Sequence, residues 1–293
     1  MRSLLFVPGD SEKKLDKART SGADALILDL EDSIAPERKA AARAITTQFL
    51  KQFGQAPDRP RLFVRVNAIA TGLTDADLDA VVAGAPDAVM LPKAEGGASL
   101  VHLDAKLAAR EALHDLPDGH IRILALTTET AKALFLAGTY AGASARLIGL
   151  TWGAEDLSAE LGAETNRDAD GRFLDPYRLA RTLCLAAAAA AEVQAIDTVY
   201  VDFRNAAGLR REAEEARRDG FTAKIAIHPA QVETINAVFT PGADAIAKAK
   251  AVVAAFAAEP DAGVVGIDGV MYDRPHLARA RQLLERAGPA SGE

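Results

Sequence analysis

Cysteine is almost missing from this chain: Cys184 stands alone among 293 residues, so no disulfide can form within it. Its Ala/Leu-rich surroundings mark it as a buried structural thiol, and that usage suits the cytoplasm. Also missing is any charge-free run of about eighteen apolar residues; the longest candidate, residues 183–191, is far too short to span a bilayer. The opening MRSLLFVPGD has one basic residue and a short apolar run broken by Pro8-Gly9, so it reads as a first strand rather than a signal-peptide core. Basic residues are outnumbered, 34 against 41 acidic ones, for a net charge of −7. That excludes a broad nucleic-acid surface while leaving room for a local basic pocket. Neither G-x-G-x-x-G nor G-x-x-x-x-G-K-[ST] occurs, which removes the motif evidence for a Rossmann or P-loop domain. His102, His114, His120, His228 and His276 never take H-x-x-x-H or H-E-x-x-H spacing, which argues against a zinc hydrolase.

What is present is a recurring pattern. Short runs rich in Val, Ile, Leu and Phe alternate with longer Ala/Leu/Glu/Arg-rich stretches of helical character. The expected strands are 3–7, 25–30, 62–66, 88–91, 121–126, 147–150, 198–202 and 224–227. Most are continuous apolar runs, as in parallel strands covered on both faces. Eight such units predict an α/β fold, a (β/α)8 TIM barrel over residues 1–258, with a C-terminal lid or helical extension over 259–293. Two segments fall outside the repeat. GAETNRDADGRFLDP at 162–176 predicts an extended loop after strand six, and the tail predicts a glycine-rich extended piece, an amphipathic helix and a frayed PASGE end.

In such a barrel the carboxyl ends of the strands meet at one mouth. Strand two ends in Asp29, Glu31 and Asp32, strand three in Arg65 and Asn67, strand four in Lys93, and strand five in Glu129. Strand six ends in Glu155 and Asp156, strand seven in Asp202 and Arg204, and strand eight in His228. Carboxylates without a Cys cluster or paired His suit a hard, oxygen-loving cation, and Glu129 with Asp156 matches Mg²⁺. Arg65 offers a planar fork for the carboxylate of an oxo acid, or neutralises neighbouring acids. His228, followed by Pro229, reads as structural. Lys13, Lys14, Lys17 and Arg19 suit either CoA phosphates or a solvated helix face.

Several motifs together resemble one family. RSLLFVPG at 2–9, LDLEDSIAPERKAAAR at 28–43, VRVN at 64–67, LPK at 91–93, TETAKAL at 128–134, GAEDLSAELGAE at 153–164 and KIAIHPAQV at 224–232 are similar to the citrate lyase β subunit and the related malyl-CoA and citramalyl-CoA lyases. The resemblance implies a Mg²⁺-dependent barrel that cleaves a carbon–carbon bond in a 3-hydroxy acyl thioester, citryl-CoA or citryl-ACP, giving oxaloacetate and an acetyl thioester. It implies Glu129 and Asp156 as metal ligands, Glu129 also touching substrate, and Arg65 as the clamp on the oxo-acid carboxylate. Asp29, Glu31 and Asp32, with Lys93, are expected around the metal rather than on it. GVMYDRPHLARARQLL resembles the family's lid, in which Asp273 is the acid/base group; the alternative for Asp273 is a helix N-cap. A homo-oligomer, trimeric or hexameric, is also implied, with the lid shared between neighbours. The alternatives are a malyl-CoA, citramalyl-CoA or malate-synthase-like enzyme, a thioester-independent 4-hydroxy-2-oxo-acid aldolase, and a non-catalytic ligand-binding subunit.

Overall fold

The computed structural model describes residues Met1 to Ala287; the PASGE segment expected to fray lies outside the described residues. Eight parallel strands close in sequence order into a barrel: β1 (Ser3–Pro8), β2 (Ala25–Asp29), β3 (Arg61–Arg65), β4 (Ala88–Leu91), β5 (Arg122–Leu126), β6 (Leu147–Thr151), β7 (Gln194–Asp197) and β8 (Ala223–Ala226). The returning helices are α1 (Glu12–Ala18), α2 (Lys39–Phe53), α3 (Thr74–Val81), α4 (Gly97–Leu113), α5 (Ala131–Leu136), α6 (Glu155–Glu160), α7 (Asp175–Ala190), α8 (Ala206–Asp219) and α9 (Val232–Phe239). After them come α10 (Ala243–Ala258), the antiparallel pair β9 (Val264–Ile267) and β10 (Val270–Asp273), and α11 (Arg274–Ala287). Among the described residues no helix is long and apolar enough to cross a membrane.

Successive side chains of a strand point to opposite faces, so one parity fills the barrel and the other meets the helices. Leu4, Ala25, Ile27, Phe63, Met90, Leu124, Ile196 and Ile225 fill the interior, and each is buried. Removing a side chain such as Phe63 from water is worth about 1.5–3 kcal/mol. The same parity carries Asp29 one step beyond Ile27 and Arg65 one step beyond Phe63. Asp29 and Arg65 are also register partners across β2 and β3, so the two meet at the carboxyl end of the barrel interior. The helix layer is punctuated locally. Thr130 caps α5 by accepting from the Ala133 amide, Asn205 caps α8 through the Gly208 amide, and Pro176 sits in the first turn of α7.

Two expectations are corrected. Strand seven lies at Gln194–Asp197, ahead of the expected 198–202, and Val201 of that apolar run is exposed. The strand is short and ends in a charge: Asp197 points outward beside its register partner Lys224, a pairing that periodicity does not announce. The compact units divide at Met1–Asn236 and Ala237–Glu293, ahead of the expected boundary at 258/259. The cause is α10, whose Ala249, Val252 and Phe256 are buried with Val265 and Tyr272 of the hairpin and Leu277 of α11.

Candidate functional site

The exits of β2 to β6 gather five carboxylates and two cations. Arg65 presents its fork to Asp29, with Nε 2.7 Å from Oδ1 and Nη2 2.8 Å from Oδ2. Its Nη1 lies 3.0 Å from Glu31 Oε2 and 3.5 Å from Asp32 Oδ2, while the guanidinium rests over the Phe6 ring. Lys93 Nζ donates to Glu31 Oε1 at 2.8 Å and stands 3.3 Å from Asp156 Oδ1. Lys93 is left-handed, with φ 49°, a conformation that costs a non-glycine residue about 1–3 kcal/mol. That bend directs its amide at Glu129 Oε2, 2.5 Å away. Gly153 lets the β6 exit close on the same place, since a Cβ there would sit 3.0 Å from Glu129 Cγ.

The electrostatics follow from burial and from crowding of like charge. Burial opposes ionisation of Asp29, yet the paired hydrogen bonds and charge of Arg65 hold it below the ordinary carboxylate range. Glu31 is pushed up by burial despite Arg65 and Lys93, and Lys93 is raised by the acids around it against the effect of burial. Glu129, 3% exposed, is pushed up to about 8, first by burial and then by the negative charge of Asp156. A buried carboxylate whose ionisation is opposed by a second carboxylate, beside a single ammonium, is a donor set that suits a hard dication. Among the described residues no three His, Cys, Asp or Glu side chains form a ready-made metal cluster. A carboxylate pair, with water or substrate oxygens completing the shell, is the manner in which Mg²⁺ is commonly held. The pair therefore fits the expected cation.

This shift has a measurable sign. Glu129 ordinarily titrates near 4.5 and in the folded protein near 8, so between those values the native state holds the proton more tightly. Its contribution to stability is full below about 4.5 and lost as pH rises through about 8. Thermal melts in a chelator should therefore show a midpoint that falls across this window in the wild type and falls less in Glu129→Gln. Equal slopes in the two proteins would contradict the assignment.

Other expected residues are placed as follows. Asn67 is buried and donates to the Leu30 carbonyl and to Asp77, so it braces the β2 exit. Glu155 pairs with Asn166 rather than with the acidic cluster. Asp202 and Arg204 lie on an exposed loop, a consequence of the shifted seventh strand. His228 stacks on Phe203 and caps the following turn in a reciprocal arrangement with Gln231. Lys13, Lys14 and Lys17 are exposed, and Arg19 pairs with Asp16 over the Phe53 ring. Cys184 is buried, its thiol pushed up to about 12 by burial. Asp273 belongs to the second unit. There it ends β10, accepts the His276 amide at 3.3 Å and bonds the His276 ring, which holds its carboxyl below the ordinary range. The capping geometry weighed for Asp273 is thus present.

Sequence reasoning missed Lys39. Its ammonium donates to the carbonyls of Leu30 (2.8 Å) and Glu31 (2.7 Å) and to Asn67 Oδ1 (2.8 Å), gripping the backbone that presents Glu31 and Asp32. The available signal was its position inside the quoted motif, eight residues after Glu31.

Residues 2–229 match the family described as HpcH/HpaI aldolase/citrate lyase. The (3S)-malyl-CoA thioesterase of Cereibacter sphaeroides is 38% identical over 294 residues, covering 98% of this chain and 94% of the relative. Citrate lyase subunit beta of Escherichia coli is 36% identical over 288 residues, covering 98% of this chain and 93% of the relative. Among solved structures, protein CitE from Mycobacterium tuberculosis in complex with magnesium, acetoacetate and coenzyme A aligns with a TM-score of 0.76 at 36% identity, covering 98% of each chain.

Proposed function

The chain belongs to the HpcH/HpaI aldolase/citrate lyase family, and from that premise we propose that it is a Mg²⁺-dependent carbon–carbon lyase acting on a 3-hydroxy acyl thioester, with citryl-CoA or a citryl carrier thioester as substrate. The observation that carries the reading is the convergence of Glu129 and Asp156, the first raised to about 8 by burial and by the charge of the second. The magnesium, coenzyme A and acetoacetate bound by the Mycobacterium tuberculosis protein support the choice of cation and of thioester chemistry.

In the cleavage the C3 hydroxyl of the citryl group loses its proton and the bond from C3 to the thioester α-carbon breaks. The electron pair moves into the thioester as an enolate, C3 becomes the ketone of oxaloacetate, and a proton on the α-carbon completes the acetyl thioester. Glu129 and Asp156 hold the cation, with Glu129 near the substrate oxygens. A bound Mg²⁺ supplies Lewis acidity toward the oxo-acid oxygens, worth several kcal/mol. Arg65 orients the substrate carboxylate with the guanidinium donors that its paired bonds to Asp29 leave over, while those bonds fix the plane of the fork. Lys93 and Glu31 form the adjoining ion pair and, with Asp29 and Asp32, set the charge around the cation without holding it. Lys39 and Asn67 fix the β2 exit that carries these acids. Proton transfer at the α-carbon falls to Asp273 by its motif, a role typically worth about 10²–10⁴-fold. A homo-oligomer, trimeric or hexameric, belongs to the same proposal.

The test is incubation of citryl-CoA and of malyl-CoA with and without Mg²⁺, following oxo acid and free CoA thiol separately. Oxaloacetate or glyoxylate appearing only with Mg²⁺ is expected. Release of thiol without oxo acid would establish thioester hydrolysis, the activity for which the Cereibacter relative is named. Silence with both CoA esters, while Mg²⁺ and oxaloacetate still bind together, would move the substrate to a carrier-protein thioester. Equal turnover in a chelator would overturn the metal-dependent reading.

A further inference from the structure

The connection between β6 and α7 folds back on itself. Arg167 and Phe173 form an antiparallel bridge, and Asp168 Oδ1 accepts the amides of Asp170 and Arg172 to close the turn between them. From this turn Arg167 reaches inward to Glu212 Oε2 at 2.7 Å, its guanidinium 3.7 Å from the Phe173 centroid. Phe173 sets its ring against Trp152 in an edge contact, with centroids 4.9 Å apart. The Trp152 indole donates to Asp197 Oδ1 at 2.8 Å, Asp197 Oδ2 accepts from Lys224 at 2.7 Å, and Lys224 donates to Glu212 Oε1 at 2.9 Å. The contacts close on themselves: Arg167, Phe173, Trp152, Asp197, Lys224, Glu212 and back to Arg167. Their charges alternate, so the ring is neutral, and Trp152, Asp197 and Lys224 are almost fully withdrawn from water.

The ring meets the site at Trp152, four positions before Asp156. The intervening Gly153 has no side chain to anchor it, and its amide reaches Thr128 Oγ1 only at 3.3 Å. One further tie comes from the same loop, Asn166 Nδ2 to Glu155 Oε1 at 2.9 Å. We propose that Arg167 is a positioning residue: by closing this ring it holds the β6 exit so that Asp156 is presented opposite Glu129. The inference rests on the assignment of Glu129 and Asp156 as the cation's ligands.

The test compares Arg167→Met, Arg167→Lys and Arg172→Ala, the last an exposed side chain in the same turn. Two readouts are taken on the full chain: hydrogen–deuterium exchange across residues 152–157 without metal, and calorimetric titration with MgCl₂ alone. In Arg167→Met, exchange across that segment rises, and Mg²⁺ affinity falls about ten- to a hundredfold, the range seen when supports of metal ligands are removed. Arg167→Lys, which keeps the charge facing Glu212, recovers most of both, and Arg172→Ala changes neither. Unchanged exchange in a folded Arg167→Met overturns the proposal, as does increased exchange with wild-type Mg²⁺ affinity. If the wild type binds no Mg²⁺, the ligand assignment fails on its own and the exchange data alone decide whether the ring holds the β6 exit. Should Arg167→Met not fold, Phe173→Leu breaks the ring at its aromatic link and is judged by the same two readouts.

Discussion

Glu129→Ala is expected to leave a folded protein with about a thousandth of wild-type turnover or less, the equivalent of the several kcal/mol of Lewis-acid stabilisation that a misheld cation forfeits. The residue is buried and supplies the carboxylate toward which the Lys93 amide and the β6 exit converge. Asp29 and Glu31 are poor replacements, because they are already committed to Arg65 and Lys93. Its removal also ends the repulsion with Asp156, so the loss of activity should come without a matching loss of thermal stability above pH 8. Steady-state rates with saturating Mg²⁺, measured beside melting curves, separate the two effects. A Glu129→Ala protein that turns over at wild-type rate without Mg²⁺ would end the metal-dependent reading.

Lys224→Met is expected to act in the opposite manner, on the fold before the chemistry. The ammonium is inaccessible to solvent and pairs with Asp197 and Glu212 in the layer between barrel and helices. Burial alone would lower Lys224 and raise Asp197, but their mutual charge and hydrogen bond win, so both are held ionised. Methionine keeps the length of the side chain and removes its charge, leaving Asp197 with Arg181 at 3.4 Å and the Trp152 indole as partners. Breaking a buried pair on one side typically costs about 3–5 kcal/mol. For a domain of this size that is a midpoint lower by roughly 10 °C. Urea unfolding checks the value. The Lys224→Met/Asp197→Asn double variant should regain part of the loss, since it no longer buries a carboxylate stripped of its ammonium partner.

The barrel was legible because parallel strands covered on both faces must be apolar throughout, and seven of the eight runs read that way were found within a residue or two of their expected places. The exception is instructive. β7 ends in Asp197, and a strand that closes on a buried charge looks less like a strand than the Val-Tyr-Val run after it. The gathering of Asp29, Glu31, Arg65, Lys93, Glu129 and Asp156 at strand exits was legible in the sequence. Their pairing was not. That Arg65 spends two donors on Asp29 depends on the register of β2 against β3, and register is a property of two strands together. Lys224 is the same case: nothing inside KIAIHPAQV names a partner for it, and only the fold places Asp197 and Glu212 beside it. The helix α10 looks by composition like an eighth barrel helix, and only its packing against the hairpin and α11 assigns it to the second unit.

Trp152 is the only tryptophan in the chain. All indole emission therefore originates at one point, beside the β6 exit, from a ring whose N–H faces a buried carboxylate and whose edge meets Phe173. The protein carries an intrinsic optical probe at the place where its chemistry is proposed, so cation titration, loop motion and unfolding can be followed by fluorescence without a label.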